Sequence, residues 1–151
     1  MTEDYPTYCA RGVTDSDCIS DGQMKHCVFQ FVENKGDQLY ELSIQWLDND
    51  ESEKIAKEMM KRNMDEPKFI SGFAVILKDT LDDIKTTYSV MDYCRVPNRS
   101  ENAWNPYHGH ITVPDSIGRI ERRQLAAELA HRSEYYRYDM RLPVDNLPIR
   151  D

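Results

Sequence analysis

The sequence has few of the features that would take it to a membrane, a nucleic acid or a cofactor. Its longest apolar stretch, Phe69 to Leu77, is broken by Ser71 and Gly72 and falls well short of the roughly 20 residues a helix needs to cross a bilayer. The start, Met1-Thr2-Glu3-Asp4-Tyr5-Pro6, has neither a basic cluster nor an apolar run, so no secretory signal is expected and a cytoplasmic location is. Positive charge is outnumbered, with a net charge of −8, and such a surface repels a phosphate backbone; general nucleic-acid binding is not expected. Gly-x-Gly-x-x-Gly, Walker, Gly-x-Ser-x-Gly and His-Glu-x-x-His motifs are all missing. Dinucleotide oxidoreductases, P-loop NTPases, serine hydrolases and zinc proteases therefore lose their usual signatures, no cofactor is expected, and whether the chain catalyses anything is left open.

Cysteine is also sparse. Cys9, Cys18, Cys27 and Cys94 lack the close pairs of a zinc module, so no metal site is expected. The acidic clusters lack the glycine and terminal glutamate of an EF-hand loop. With no export signal and enough chain for a core, four reduced thiols are expected.

What is present suits one domain spanning residues 1–151, with 40% hydrophobic and 10% aromatic residues to build a single core. Thr7 to Val13 has strand character. Lys25 to Glu33 alternates, and Gln38 to Leu47 does so strictly through Tyr40, Leu42, Ile44 and Trp46, so the Asn34–Asp37 turn between them, with a Gly36 that can take positive φ, predicts a β-hairpin. Ile55, Ala56, Met59 and Met60 recur at helical spacing over 51–62, behind capping residues at Asp48 to Asp50. Lys68 to Lys78 reads as a central strand apolar on both faces. Asp79 to Lys85 reads as a helical turn or a tight connection, Thr86 to Val96 as a half-polar strand, and Asn98 to Tyr107 as a loop. His108 to Val113 reads as a strand. A second helix over 119–132, capped by Asp115 or Ser116, turns Leu125, Ala126, Leu129 and Ala130 inward, and 134–151 forms a tail without periodicity. The expected fold is α+β, a single antiparallel-rich sheet with two amphipathic helices packed on it.

Two constellations stand out. All eight lysines precede residue 86, nine of the eleven arginines lie at or after Arg95, and the first 93 residues carry −9 against +1 for the remainder. Arg119, Arg122, Arg123, Arg132 and Arg137, with Tyr135 and Tyr136, are candidate binding residues, because arginine recognises phosphate or carboxylate groups bidentately and arginine and tyrosine are favoured interface anchors. Their bland counterpart is a solvated helix face whose arginines pair with Glu121, Glu128 and Glu134. The second constellation is His108, His110 and Thr112, which alternation places on one face of a strand. Arg11, if turned inward, would require a buried carboxylate such as Asp92.

The order Arg11-Gly12, Phe29, Leu42-Ser43-Ile44-x-Trp46 and His108-Gly109-x-Ile111 resembles small bacterial proteins, some found near phage-defence and stress genes. That resemblance implies an accessory or interaction protein and carries no activity with it. His110-Ile111-Thr112 is similar to the His-x-Thr element of two-histidine phosphoesterases, and His108-Gly109-His110 to the histidine-triad element. Thr112 stands where the triad has its third histidine, and the second His-x-Ser/Thr is replaced by His26-Cys27-Val28. The leading expectation is thus a non-enzymatic subunit that presents its C-terminal helix and tail to a protein partner. The alternative is a phosphoesterase or nucleotide-binding protein in which His108, His110 and Thr112 act on a phosphate-bearing ligand, aided by Arg95 or Arg119.

Overall fold

The computed structural model describes residues 5–13, 18–20, 23–62, 72–100 and 103–149. In chain order these form β1 (Tyr8–Val13), β2 (Ile19–Ser20), β3 (Gln23–Met24), a 3-10 helix (His26–Phe29), β4 (Val32–Asn34), β5 (Leu39–Trp46), α1 (Asp50–Arg62), β6 (Gly72–Leu77), α2 (Lys78–Thr87), β7 (Asp92–Arg95), β8 (Asn98–Ser100), β9 (Ala103–Asn105), β10 (His108–Pro114), α3 (Arg119–His131) and β11 (Glu134–Arg137). One antiparallel sheet runs β11-β6-β1-β5-β10-β7, with β4 added on β5. The α+β architecture anticipated from the sequence is thus present.

The alternating residues of β5 and β10 divide the sheet into two faces. Leu42 and Ile44 of β5 and Ile111 and Val113 of β10 join one core with Leu81 and Ile84 of α2 and Leu125, Ala126, Leu129 and Ala130 of α3. On the other face Ala10, Phe73 and Val75 meet Ala56 and Met60 of α1, Leu47 and Leu142. β6 is therefore buried on both faces, as its unbroken apolar run implies. Lys68 to Ser71, included in that predicted strand, lie outside the described residues, as do parts of the polar loop at 14–17 and 21–22.

Several expectations are corrected. Of the predicted Lys25–Glu33 strand only Val32 and Glu33 pair in a strand, as part of β4; His26 to Phe29 coil into a 3-10 turn that buries consecutive Val28 and Phe29, which a strand would send to opposite faces. Asp79 to Lys85, expected as a helical turn or tight connection, belongs to a full ten-residue helix whose Leu81 and Ile84 share an inner face, so the described residues hold three α-helices where two were expected. That helix also takes Thr86 and Thr87 from the predicted strand, which survives as β7. The supposed loop after Asn98 contains the β8–β9 pair. Gly118 occupies the N-cap of α3 with no capping side chain. At α1, Asn49 caps reciprocally with Ser52, each side chain receiving the other's backbone N–H at 3.1 Å. The tail is ordered by pairing and strapping despite its lack of periodicity. β11 pairs with β6, the Leu142 N–H donates to Glu53, and Asn49 donates to the Leu147 carbonyl at 2.8 Å.

Cys18 and Cys27 are disulfide-bonded, which corrects the expectation of four thiols, while Cys9 is a buried thiol. The Lys25 N–H bonds the Cys18 carbonyl at 2.8 Å and so folds the 3-10 helix back onto β2. Among the described residues no helix is long and apolar enough to cross a membrane.

Candidate functional site

α3 packs its Leu125 side into the core and leaves the opposite side of its first two turns outward. Arg119 and Arg123, one helical turn apart, are both exposed, and the 3-10 helix packs alongside to bring up His26. The result is a groove in two sections, of about 250 and 580 Å³, both lined by His26, Arg119 and Arg123. Arg122, Phe29 and Phe31 wall the first section. The second continues past Ile120, an isoleucine left 76% exposed.

The candidate arginines separate into two kinds. Arg132 pairs with Asp83 at 2.7 Å and lies 3.9 Å from Glu128, as the bland reading has it, and Arg137 pairs with Asp139, a carboxylate outside that reading. Among the described residues Arg119, Arg122 and Arg123 have no ion-pair partner. Arg122 is nevertheless fixed in place, its guanidinium 3.8 Å from the Tyr40 ring centroid and donating to the Ile117 carbonyl at 2.7 Å. Tyr135 and Tyr136 are neighbours on β11 and so point to opposite faces, one packing on each core. The structure thus brings together three of the seven candidates and disperses Arg132, Tyr135, Tyr136 and Arg137. His26 was missed as part of this groove because it was assigned to a strand.

His108, His110 and Thr112 do share a face, the one opposite α3. The imidazoles meet edge-on with centroids 4.9 Å apart, and His110 Nδ1 lies 3.5 Å from Glu41. His108 Nδ1 is 2.8 Å from the Val96 carbonyl, which can only accept, so Nδ1 carries the proton and Nε2 its lone pair. Burial holds the His108 pKa below its usual value, a tendency opposed by the Val96 bond. His108 lines a cavity of about 330 Å³ under α1 with Arg11, Ser43 and Phe73; His110 and Thr112 do not line it.

Neither arginine proposed to assist them is at hand. Arg95 forms a bidentate pair with Asp48, at 2.5 and 3.1 Å, with both side chains almost wholly buried, and Arg119 lies across the sheet. Asp92 pairs with Lys85 at 3.0 Å and not with Arg11. Among the described residues no group of three or more His, Cys, Asp or Glu side chains is placed to hold a metal. No protein-family model, curated protein or solved structure matches the chain.

Proposed function

We propose that the chain is a non-enzymatic binding subunit that receives an acidic segment of a protein partner along the first two turns of α3. The bacterial stress or phage-defence setting implied by the sequence resemblance is part of that proposal. The observation that carries it is the unpaired cationic groove. In a chain of net charge −8, carboxylates are plentiful, and Arg132, Arg137 and Arg141 each have one. Arg119, Arg122 and Arg123 converge without one among the described residues, beside exposed Ile120. Arginine with an adjacent apolar anchor is interface chemistry, and the matching partner is a carboxylate-rich segment bearing an apolar residue.

The phosphoesterase or nucleotide-binding alternative has less support, since the cavity that His108 lines is not lined by His110, Arg95 or Arg119. The test of the leading proposal is titration with a glutamate-rich peptide containing one leucine. Arg119→Glu with Arg123→Glu should weaken binding by about tenfold or more, about 1.4 kcal/mol, while the melting temperature stays near that of the parent because both side chains are exposed. Equal affinity in the double variant contradicts the proposal.

A further inference from the structure

β1 and β5 pair at only two positions, Cys9 with Trp46 and Ala10 with Gln45. β1 then stays on β6 as far as Val13 while it parts from β5. The guanidinium of Arg11 fills the gap between the diverging strands, Nη1 donating to the Ser43 carbonyl at 2.6 Å and Nε to the Val28 carbonyl at 2.7 Å. Above it, on the α1 side, lies the cavity of about 330 Å³ walled by Ala56, Met59, Met60, Phe73 and His108.

Both acceptors of Arg11 are neutral carbonyls. Burial lowers its pKa, yet a guanidinium remains charged at any ordinary pH, and a half-buried charge that no opposite charge meets is costly. The contrast with Arg95 and its Asp48 is direct. Among the described residues Nη2 has no acceptor and no carboxylate pairs with Arg11. The remaining polar wall adds no negative charge: His108 presents a neutral Nε2, and Gln45 is tied to Asn105 and to the Ser52 carbonyl.

We propose that this cavity binds a small organic anion, a carboxylate or phosphate monoester on a compact apolar body, with its oxyanion on Arg11 and its body against Met59, Met60 and Phe73. The cavity lies on the α1 side of the sheet, away from the α3 groove, although Arg11 itself reaches the 3-10 helix that walls that groove.

Benzoate, phenyl phosphate and the neutral benzyl alcohol are titrated into the whole protein, with binding read from the amide signals of Gly12, Ser43 and Phe73. At least one anion should bind about tenfold or more tightly than benzyl alcohol, as a charge-assisted contact requires. Preference for benzoate assigns a carboxylate ligand, and preference for phenyl phosphate a phosphate ester. Arg11→Met should abolish that advantage, and Met59→Trp, which fills the cavity and leaves Arg11 in place, should abolish binding of all three. Should Arg11→Met not fold, anion binding that survives Met59→Trp overturns the proposal. So do equal affinities for anion and alcohol, absence of binding by all three probes, or shifts confined to α3.

Discussion

Burial of His108 ties stability to pH. Its folded-state pKa lies below the ordinary value of 6.5, so the folded and unfolded states are both neutral above that pH and the contribution is fully present. As pH falls from 6.5 toward the folded value, the unfolded chain takes a proton that the folded one refuses, and stability declines; below the folded pKa it levels off. Urea midpoints at pH 7 and pH 5 should differ by more in the parent than in His108→Gln, and an identical slope would remove the account. Gln38 offers a second check at this scale. It carries the left-handed backbone of the hairpin, at φ 58°, whereas Gly36 has no such φ and a Cβ there would meet Asn34 at an ordinary 3.5 Å. A Lys35–Gln38 turn ending in a left-handed residue is the bulged pattern of longer hairpin loops. Gly36→Val should therefore be nearly neutral, and Gln38→Gly should stabilise by about 0.5–1 kcal/mol in urea unfolding, relief of left-handed strain exceeding glycine's added chain entropy. The sequence signal pointed to the glycine, and the turn's length moved the strain two residues on. Gly109 shows the converse: a Cβ there would lie 2.3 Å from the Trp46 indole nitrogen, a close approach that alternation alone does not reveal.

At the scale of elements, the 3-10 helix depends on a covalent tie. Closing a loop of about ten residues, the Cys18–Cys27 disulfide should contribute about 2–3 kcal/mol by the chain-entropy relation. Cys18→Ser with Cys27→Ser should lower stability by that amount in urea unfolding and loosen the His26 side of the α3 groove, weakening the acidic peptide as well. A disulfide and a cytoplasmic location pull in opposite directions, and intact mass with and without alkylation, in protein kept free of reductant, measures the pairing directly. The Asp48–Arg95 pair anchors the end of β5 to β7. Asp48→Ala removes the buried carboxylate that pairs with the Arg95 guanidinium and should cost about 3–5 kcal/mol, read as a lowered denaturation midpoint. Elements with a long, regular pattern were legible from residues alone: β5 with its four alternating side chains, α1 and α3 with their i, i+3, i+4 apolar faces. The short ones were not. β4 and β11 span three and four residues, too few to display a period, and α2 shows only one inward pair, Leu81 and Ile84.

At the scale of the whole molecule, lysine and arginine are segregated along the sequence, but the fold decides which arginines matter. Carboxylates from α2 and from the α3 helix itself take up Arg132, and Asp50 of α1 reaches Arg141 at 2.9 Å. Arg119 and Arg123 are left facing outward with His26. Residue types marked the C-terminal half as arginine-rich; only three-dimensional pairing separates the solvated arginines from the free ones. Arg122 has no carboxylate partner among the described residues but is held against Tyr40 and the Ile117 carbonyl, so Arg122→Glu should lower the melting temperature where Arg123→Glu does not. The most direct measurement of the central claim is amide chemical-shift mapping during titration with the glutamate-rich peptide, at two salt concentrations. Perturbations should gather on residues 26–31 and 119–127 and fade as salt rises, because exposed charges are screened. Perturbations centred elsewhere, or unchanged by salt, would contradict it.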